Sequence, residues 1–194
     1  AQEGAFYGFR VVDPARDMTL QETPPVVWLA QDEIGNSARD HVPLDVGIYK
    51  GQMIHGEVTH GGLKRVFVEN IDGAYQGCVF RFVQGLEAGV NRTIWGPDGA
   101  LFVGGIGNPG NWSQPGKLHY GLQELVPTGN AAFEMLAVRI KSNGVELEFT
   151  KPLRPGDGLR PEDYHVRQWR YVPTAEYGGP KVEEEMLPIR SVHL

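Results

Sequence analysis

Two short stretches carry the residue types that chemistry requires. In LFVGGIGNPGNW, Gly105, Gly107 and Gly110 keep the spacing G-x-G-x-x-G. In a dinucleotide site that spacing lets a strand turn tightly into a helix whose N–H groups face a pyrophosphate. A helix must follow, and Pro109, Pro115 and Gly116 in NPGNWSQPGK break one. No NAD site is expected, and the glycines predict a wide loop after a strand. In HGEVTH, His55, Glu57 and His60 stand close together. On an extended chain His55 and Glu57 share a face, while His60 lies beyond them at a turn. Two histidines and a glutamate form a donor set for zinc. The same three residues also read as the polar lining of a channel or turn, and the metal stays unknown. Arg65, Arg81 and Arg92 fall inside strand-like runs, where each must find a carboxylate or a ligand. Trp95 and Trp112 flank the glycine loop and offer flat faces for a sugar ring. Trp95 reads as core, and Trp112, within NPGNW, is the candidate substrate-binding residue.

Strands and turns must hold these groups. The 26 glycines and 14 prolines among 194 residues interrupt the chain too often for long helices. Strand-like runs occupy 6–12, 26–29, 52–58, 63–68, 78–83, 93–95, 100–103 and 118–126, many alternating apolar and polar residues. Asp72-Gly73 and Pro97-Asp98-Gly99 have the composition of tight hairpin turns. The window 131–141 has some helical spacing, but its β-branched second half predicts loop and strand. Segments 51–85 and 89–138 repeat one order of features: a glycine-rich strand, a charged strand (LKRVFVE; LHYGLQELV) and a closing strand (CVFRFV; AFEMLAV). With an innermost strand before Gly51, that spacing matches the blades of a β-propeller. Beyond Val138, AVRIKSNGVELEF reads as a hairpin turning at Asn143-Gly144, followed by the strand YHVRQWRYV.

The fold expectation is therefore all-β. Residues 1–138 form the C-terminal part of a β-propeller, about two blades, and 139–194 form the first strands of an Ig-like β-sandwich. Such pieces leave sheet edges uncovered, so the expected partners include the remainder of a longer polypeptide or a domain-completing chain. The net charge of −6 argues against nucleic acid. No apolar run approaches the roughly 20 residues of a membrane helix. Cys78 stands alone, so no internal disulfide forms, and it reads as a small buried hydrophobe.

PDGALFVGG at 97–105 resembles the P-D-G-x-L-Y/F-V strand pair of six-bladed propellers in the soluble glucose/sorbosone dehydrogenase class. FYGFR at 6–10 is similar to a Y-G-W-P-type strand of the same class. The run KGQMIHGEVTHGGLKRVFVE, continuing through YQGCVFRF to GLEAGVNRTIWGPDGALFVGGIGNPGNW, resembles large secreted bacterial proteins. Those proteins join this propeller to an Ig-like domain and often to a c-type cytochrome, and FTKPL with YHVRQWRYVPTAEYGGPK is similar to the Ig-like part. The resemblance implies pyrroloquinoline quinone (PQQ) and calcium in the full-length parent, and oxidation of a sugar hydroxyl or aldehyde at the propeller axis. A histidine base takes the hydroxyl proton while hydride passes to the quinone, whose carboxylates are held by arginine. On this implication His60, opening HGGLKRV, is the catalytic residue. Asn91 and Arg92, standing before TIWGPDGAL, correspond in reversed order to the class's cofactor-binding Arg-Asn pair. No CxxCH occurs, so the chain carries no c-type haem, and a cytochrome c is expected as electron acceptor. The implied location is periplasmic or secreted. The alternatives are a non-catalytic glycan- or protein-binding propeller and a propeller-fold polysaccharide lyase using His55, His60 and Arg92.

Overall fold

The chain is all-β. Its computed structural model describes residues 4–7, 20–107, 115–172 and 179–194. Among the described residues eleven strands are joined by turns, and helix is limited to single 3₁₀ turns at Gly47–Tyr49 and Pro161–Asp163. All sheets are antiparallel, and among the described residues none closes into a barrel. This is the architecture expected of parts of a propeller and a sandwich. The chain forms two compact units, Val26–Thr150 and the described residues on either side of it.

In the unit Val26–Thr150, β1 (Ala38–Leu44), β2 (Gln52–Glu57), β3 (Leu63–Ile71) and β4 (Ala74–Val83) pair in sequence order as a four-stranded meander. Strand β1 supplies the innermost strand expected ahead of Gly51. The β3–β4 connection is the predicted two-residue turn: Ile71 pairs with Ala74, and Asp72 and Gly73 have φ of 51° and 89°. Positive φ at both centres is the type I′ geometry that matches strand twist. A second meander contains β5 (Gly89–Trp95), β6 (Leu101–Ile106) and β7 (Tyr120–Leu125), with the Pro97-Asp98-Gly99 turn closed by Gly96 N–H donating to Ala100 O at 2.8 Å.

The meanders pack face to face through β5 against β1 and β2. Leu44, Ile54 and Leu63 of the first meet Val90, Leu101 and Val103 of the second. Close approach depends on Gly56, where a Cβ would lie 2.5 Å from Val90 Cγ1 and 2.8 Å from Val90 O. Two cross-links fix the register of the pair. Thr93 N–H donates to Asp40 Oδ2 at 3.2 Å, and Trp95 Nε1 donates to Pro43 O at 2.8 Å.

Strand β8 (Met135–Lys141) confirms that the 131–141 window ends as strand, but it does not extend β7. It pairs with β9 (Gly144–Phe149) across Ser142 and Asn143 and packs beside β3 and β4. The near partner across a two-residue turn needs little loop closure, whereas β7 is separated from β8 by a stretch containing Pro127. The 26–29 run forms no ladder either. Val27 instead lies over Gly77 of β4, where a Cβ would come within 2.9 Å of Val27 Cγ2.

In the other unit, β10 (Val166–Tyr171) and β11 (Lys181–Leu187) form an antiparallel hairpin. Trp169 is flanked by Lys181 Nζ at 4.2 Å and the Arg167 guanidinium at 5.3 Å from its ring centre. Of the run 6–12, Phe6 and Tyr7 are irregular, with Phe6 O accepting from Thr23 N–H at 2.7 Å; residues 8–12 lie outside the described residues.

Candidate functional site

Cross-strand pairing brings four basic side chains into one row of the first sheet. His41 on β1 pairs with His55 on β2, His55 with Lys64 on β3, and Lys64 with Arg81 on β4. Directly paired residues project from the same face, with Cβ atoms about 5 Å apart. The row therefore crosses the sheet on one side. A register shift between Arg39 and His41 sets His41 into the row. His41 and Arg81 at the two ends are exposed, while His55 and Lys64 between them retain 7% and 1% of their exposure.

Each member of the buried pair has one backbone partner. His55 Nδ1 lies 3.0 Å from Gly56 O, and because a carbonyl only accepts, Nδ1 carries the proton. The Nε2 of the neutral ring is then an acceptor, and it has no donor. Lys64 Nζ donates to Gly61 O at 2.8 Å, and among the described residues it forms no ion pair. Burial lowers the pKa of both groups. For His55 the charges of Lys64 and His41 add to that shift, while the Gly56 carbonyl and Glu57 oppose it. Glu57 also opposes the lowering at Lys64.

Glu57 is fully buried and occupied by backbone donors. Its carboxylate accepts from Asn36 N–H at 2.9 Å, from Ser37 N–H at 2.5 Å and from His60 N–H. It pins the approach to β1 and the β2–β3 turn. The structure thus separates the three residues of HGEVTH: His55 is in the row, Glu57 is an anchor, and His60 is exposed on the turn. Among the described residues no three His, Cys, Asp or Glu side chains converge as metal ligands.

Asn91 and Arg92 lie at the start of β5, near the same end of the unit, because Gly89 approaches Val58 so closely that a Cβ would sit 2.1 Å from Val58 O. Asn91 is the extra residue of a bulge, since Val90 pairs with Gly105 and Arg92 with Gly104. Arg92 is exposed and donates to Asn91 O at 3.1 Å. Its pairing across Gly104 to Leu122 sets it on the face opposite buried Val90. Among the described residues no hydrogen bond or ion pair joins His60 to Asn91 or Arg92. Trp112 lies outside the described residues.

Sequence reasoning did not single out Lys64. The signal was present in LKRVFVE, where strand alternation sends Lys64 and Arg65 to opposite faces, so that two covered faces bury both. Arg65, expected to find a carboxylate or a ligand, meets Glu134 at 3.6 Å. Beside it, a cavity of about 410 Å³ opens between the two meanders and the 126–131 segment. Its lining, including Leu44, Phe82, Trp95 and Leu125, is mainly apolar, with Thr128 and Asn130 on the 126–131 segment, and offers no charged group.

Searches against protein-family models, curated proteins and solved structures find no match to this chain.

Proposed function

We propose that the chain is part of a secreted or periplasmic quinoprotein-type sugar dehydrogenase of the glucose/sorbosone class. The observation that supports this reading most is the pair of antiparallel meanders packed face to face, with His60, Asn91 and Arg92 carried toward one end. On this reading His60, exposed on its turn, takes the proton of a sugar hydroxyl. Arg92, which donates to its neighbour's carbonyl through one nitrogen, has further donors to offer a carboxylate, with Asn91 on the bulge beside it. The chemistry that PQQ would supply there is that of a hydride acceptor. Calcium would draw ligands from outside the described residues, among which no suitable acidic group converges. A cytochrome c is the proposed electron acceptor. The test is to titrate the natural full-length protein with PQQ and calcium and follow dye reduction on adding glucose. Saturable quinone uptake with sugar-dependent reduction supports the reading. Absence of both overturns it.

A second reading, a propeller that binds glycan or protein without redox chemistry, draws on Glu57. A histidine base is ordinarily oriented by an acidic partner, and the nearest carboxylate in sequence to His60 is held by three backbone donors. Glycan binding without turnover by the same protein would favour this reading.

A further inference from the structure

We propose that the cavity between the two meanders is a binding site for an uncharged, largely apolar small molecule built on an aromatic ring. Its floor and its mouth are made of different residues. Leu44, Ile54, Leu63 and Leu101 form the floor, each at 3% exposure or less. The lining reaches solvent at Ile48, on the 3₁₀ turn, and at Val126, after β7, which are 46% and 68% exposed. Thr128 and Asn130, also exposed, follow Val126 along the lining. The mouth therefore lies between the Gly47–Tyr49 turn and the 126–130 segment, and a ligand enters from solvent there.

Size and chemistry define the occupant. Protein interiors leave few voids larger than a water molecule, and about 410 Å³ lies within the usual range of small-molecule sites. Even a cavity of about 150 Å³ lined by Leu, Ile and Phe stays dry and takes up benzene. Polar groups on the walls are already engaged. Trp95 Nε1 donates to Pro43 O at 2.8 Å, and the Tyr49 hydroxyl donates to Glu134 Oε1 at 2.7 Å. Tyr49 and Phe82 meet edge to face with ring centres 5.1 Å apart, and Trp95 adds a third ring to the lining. Among the described residues no Lys, Arg, His, Asp or Glu lines the space. A charged ligand would lose its hydration there without gaining a counter-charge. A ring bearing one hydroxyl suits both parts, with the ring on the apolar floor and the hydroxyl at the mouth. Thr128 and Asn130 carry donors and acceptors for it. The inference does not rest on the quinone reading, because the carboxylates of PQQ need cations and this lining supplies none.

The test is a titration of the full chain, ¹³C-labelled at the methyl groups of Ile, Leu and Val, followed by ¹H–¹³C correlation. Cinnamyl alcohol is the neutral probe, and cinnamate, the same ring with a carboxylate, is the charged one. Cinnamyl alcohol is expected to shift the methyls of Leu44, Ile54, Leu101 and Leu125 saturably. Those of Leu122 and Ile140, exposed and outside the cavity, should stay in place. Cinnamate should bind about tenfold more weakly or not at all. Leu125→Trp fills part of the cavity and should weaken binding of the alcohol about tenfold. Ile94→Asp, on the exposed face of β5, should leave it within about twofold of the parent. Where Leu125→Trp does not fold, the methyl shifts of the unmodified chain decide.

Shifts confined to the cavity methyls, with the alcohol preferred to the acid, support the proposal. Equal shifts at Leu122 and Ile140 mean adsorption to exposed apolar residues and overturn it. So does an absent response, equal binding of the acid, or full binding by a folded Leu125→Trp. Cavity methyls that move with protein concentration alone make a second copy of the chain the occupant, which also overturns it.

Discussion

Arg65 and Lys64 follow one another along β3 at 0% and 1% exposure, yet the two faces they enter treat a buried cation differently. On one face the Arg65 guanidinium donates to Gln52 Oε1 at 2.5 Å, Leu136 O at 2.9 Å and Met135 O at 2.6 Å, and meets the Glu134 carboxylate at 3.6 Å. It also lies over the rings of Phe80 and Tyr49, at 4.5 and 4.9 Å from their centres. Only its Nε lacks a partner. The planar fork of donors suits such multiple ties, and they fasten the β8 strand to the first sheet. On the other face Lys64 has one carbonyl and an imidazole that does not answer it. A cation that is nearly saturated by its own protein is a structural bolt. One left with a single carbonyl adds little to the fold.

The largest effect expected from this contrast follows loss of the bolt. Arg65→Met should destabilise the fold by about 3–5 kcal/mol, because it takes a donor from Gln52 Oε1, Met135 O and Leu136 O and leaves Glu134 without its cation. Urea unfolding at neutral pH measures it, and a loss below about 1 kcal/mol would remove the distinction between the faces. Next comes the seam between the meanders. Gly56→Ala drives a methyl against Val90 Cγ1 and the Val90 carbonyl, neither of which retreats easily, since Val90 is fully buried. A cost of about 1–3 kcal/mol is expected. It should appear as a lower urea midpoint, with the slope unchanged if the sheets stay packed.

Much of this frame could be read from residues. Asp72-Gly73 names its turn, and the alternation in LKRVFVE states which side chains share a face. The innermost strand was foreseen ahead of Gly51, but the residues of β1 were not, because ARDHVPL has no apolar alternation to reveal it. The hairpin of β8 with β9 could be read in AVRIKSNGVELEF, but the docking of β8 beside β3 could not, because it is decided by tertiary contacts of Arg65 with carbonyls about 70 residues away in sequence. The site shows the same division. HGEVTH announced its histidines, yet a motif cannot disclose that Glu57 would be taken by Asn36 and Ser37, or that His55 would be buried with an idle nitrogen.

A smaller effect belongs to Tyr49, whose hydroxyl donates to Glu134 Oε1 at 2.7 Å and so braces the acid that faces Arg65. Burial, reinforced by that bond and by the Glu134 charge, pushes the phenol up to about 12. Because the folded-state pKa is raised, the native phenol keeps its proton where the unfolded chain loses it. Its stabilising contribution is therefore whole below the ordinary value of 10 and disappears as pH rises from there. Tyr49→Phe should cost about 1 kcal/mol at neutral pH and should flatten the alkaline decline in thermal stability between pH 10 and 12.

The smallest change should come from Lys64→Met, the counterpart of Arg65→Met on the opposite face. Deleting the ammonium removes a bond to Gly61 O and the favourable field of Glu57, but it also removes the cost of keeping a charge out of water. Glu57 keeps its three N–H donors, so no carboxylate is orphaned. These effects oppose one another, and the net change in unfolding free energy should stay within about 1 kcal/mol of zero. Urea denaturation of the two methionine variants side by side gives the comparison directly. A loss at Lys64 as large as that at Arg65 would make both cations structural.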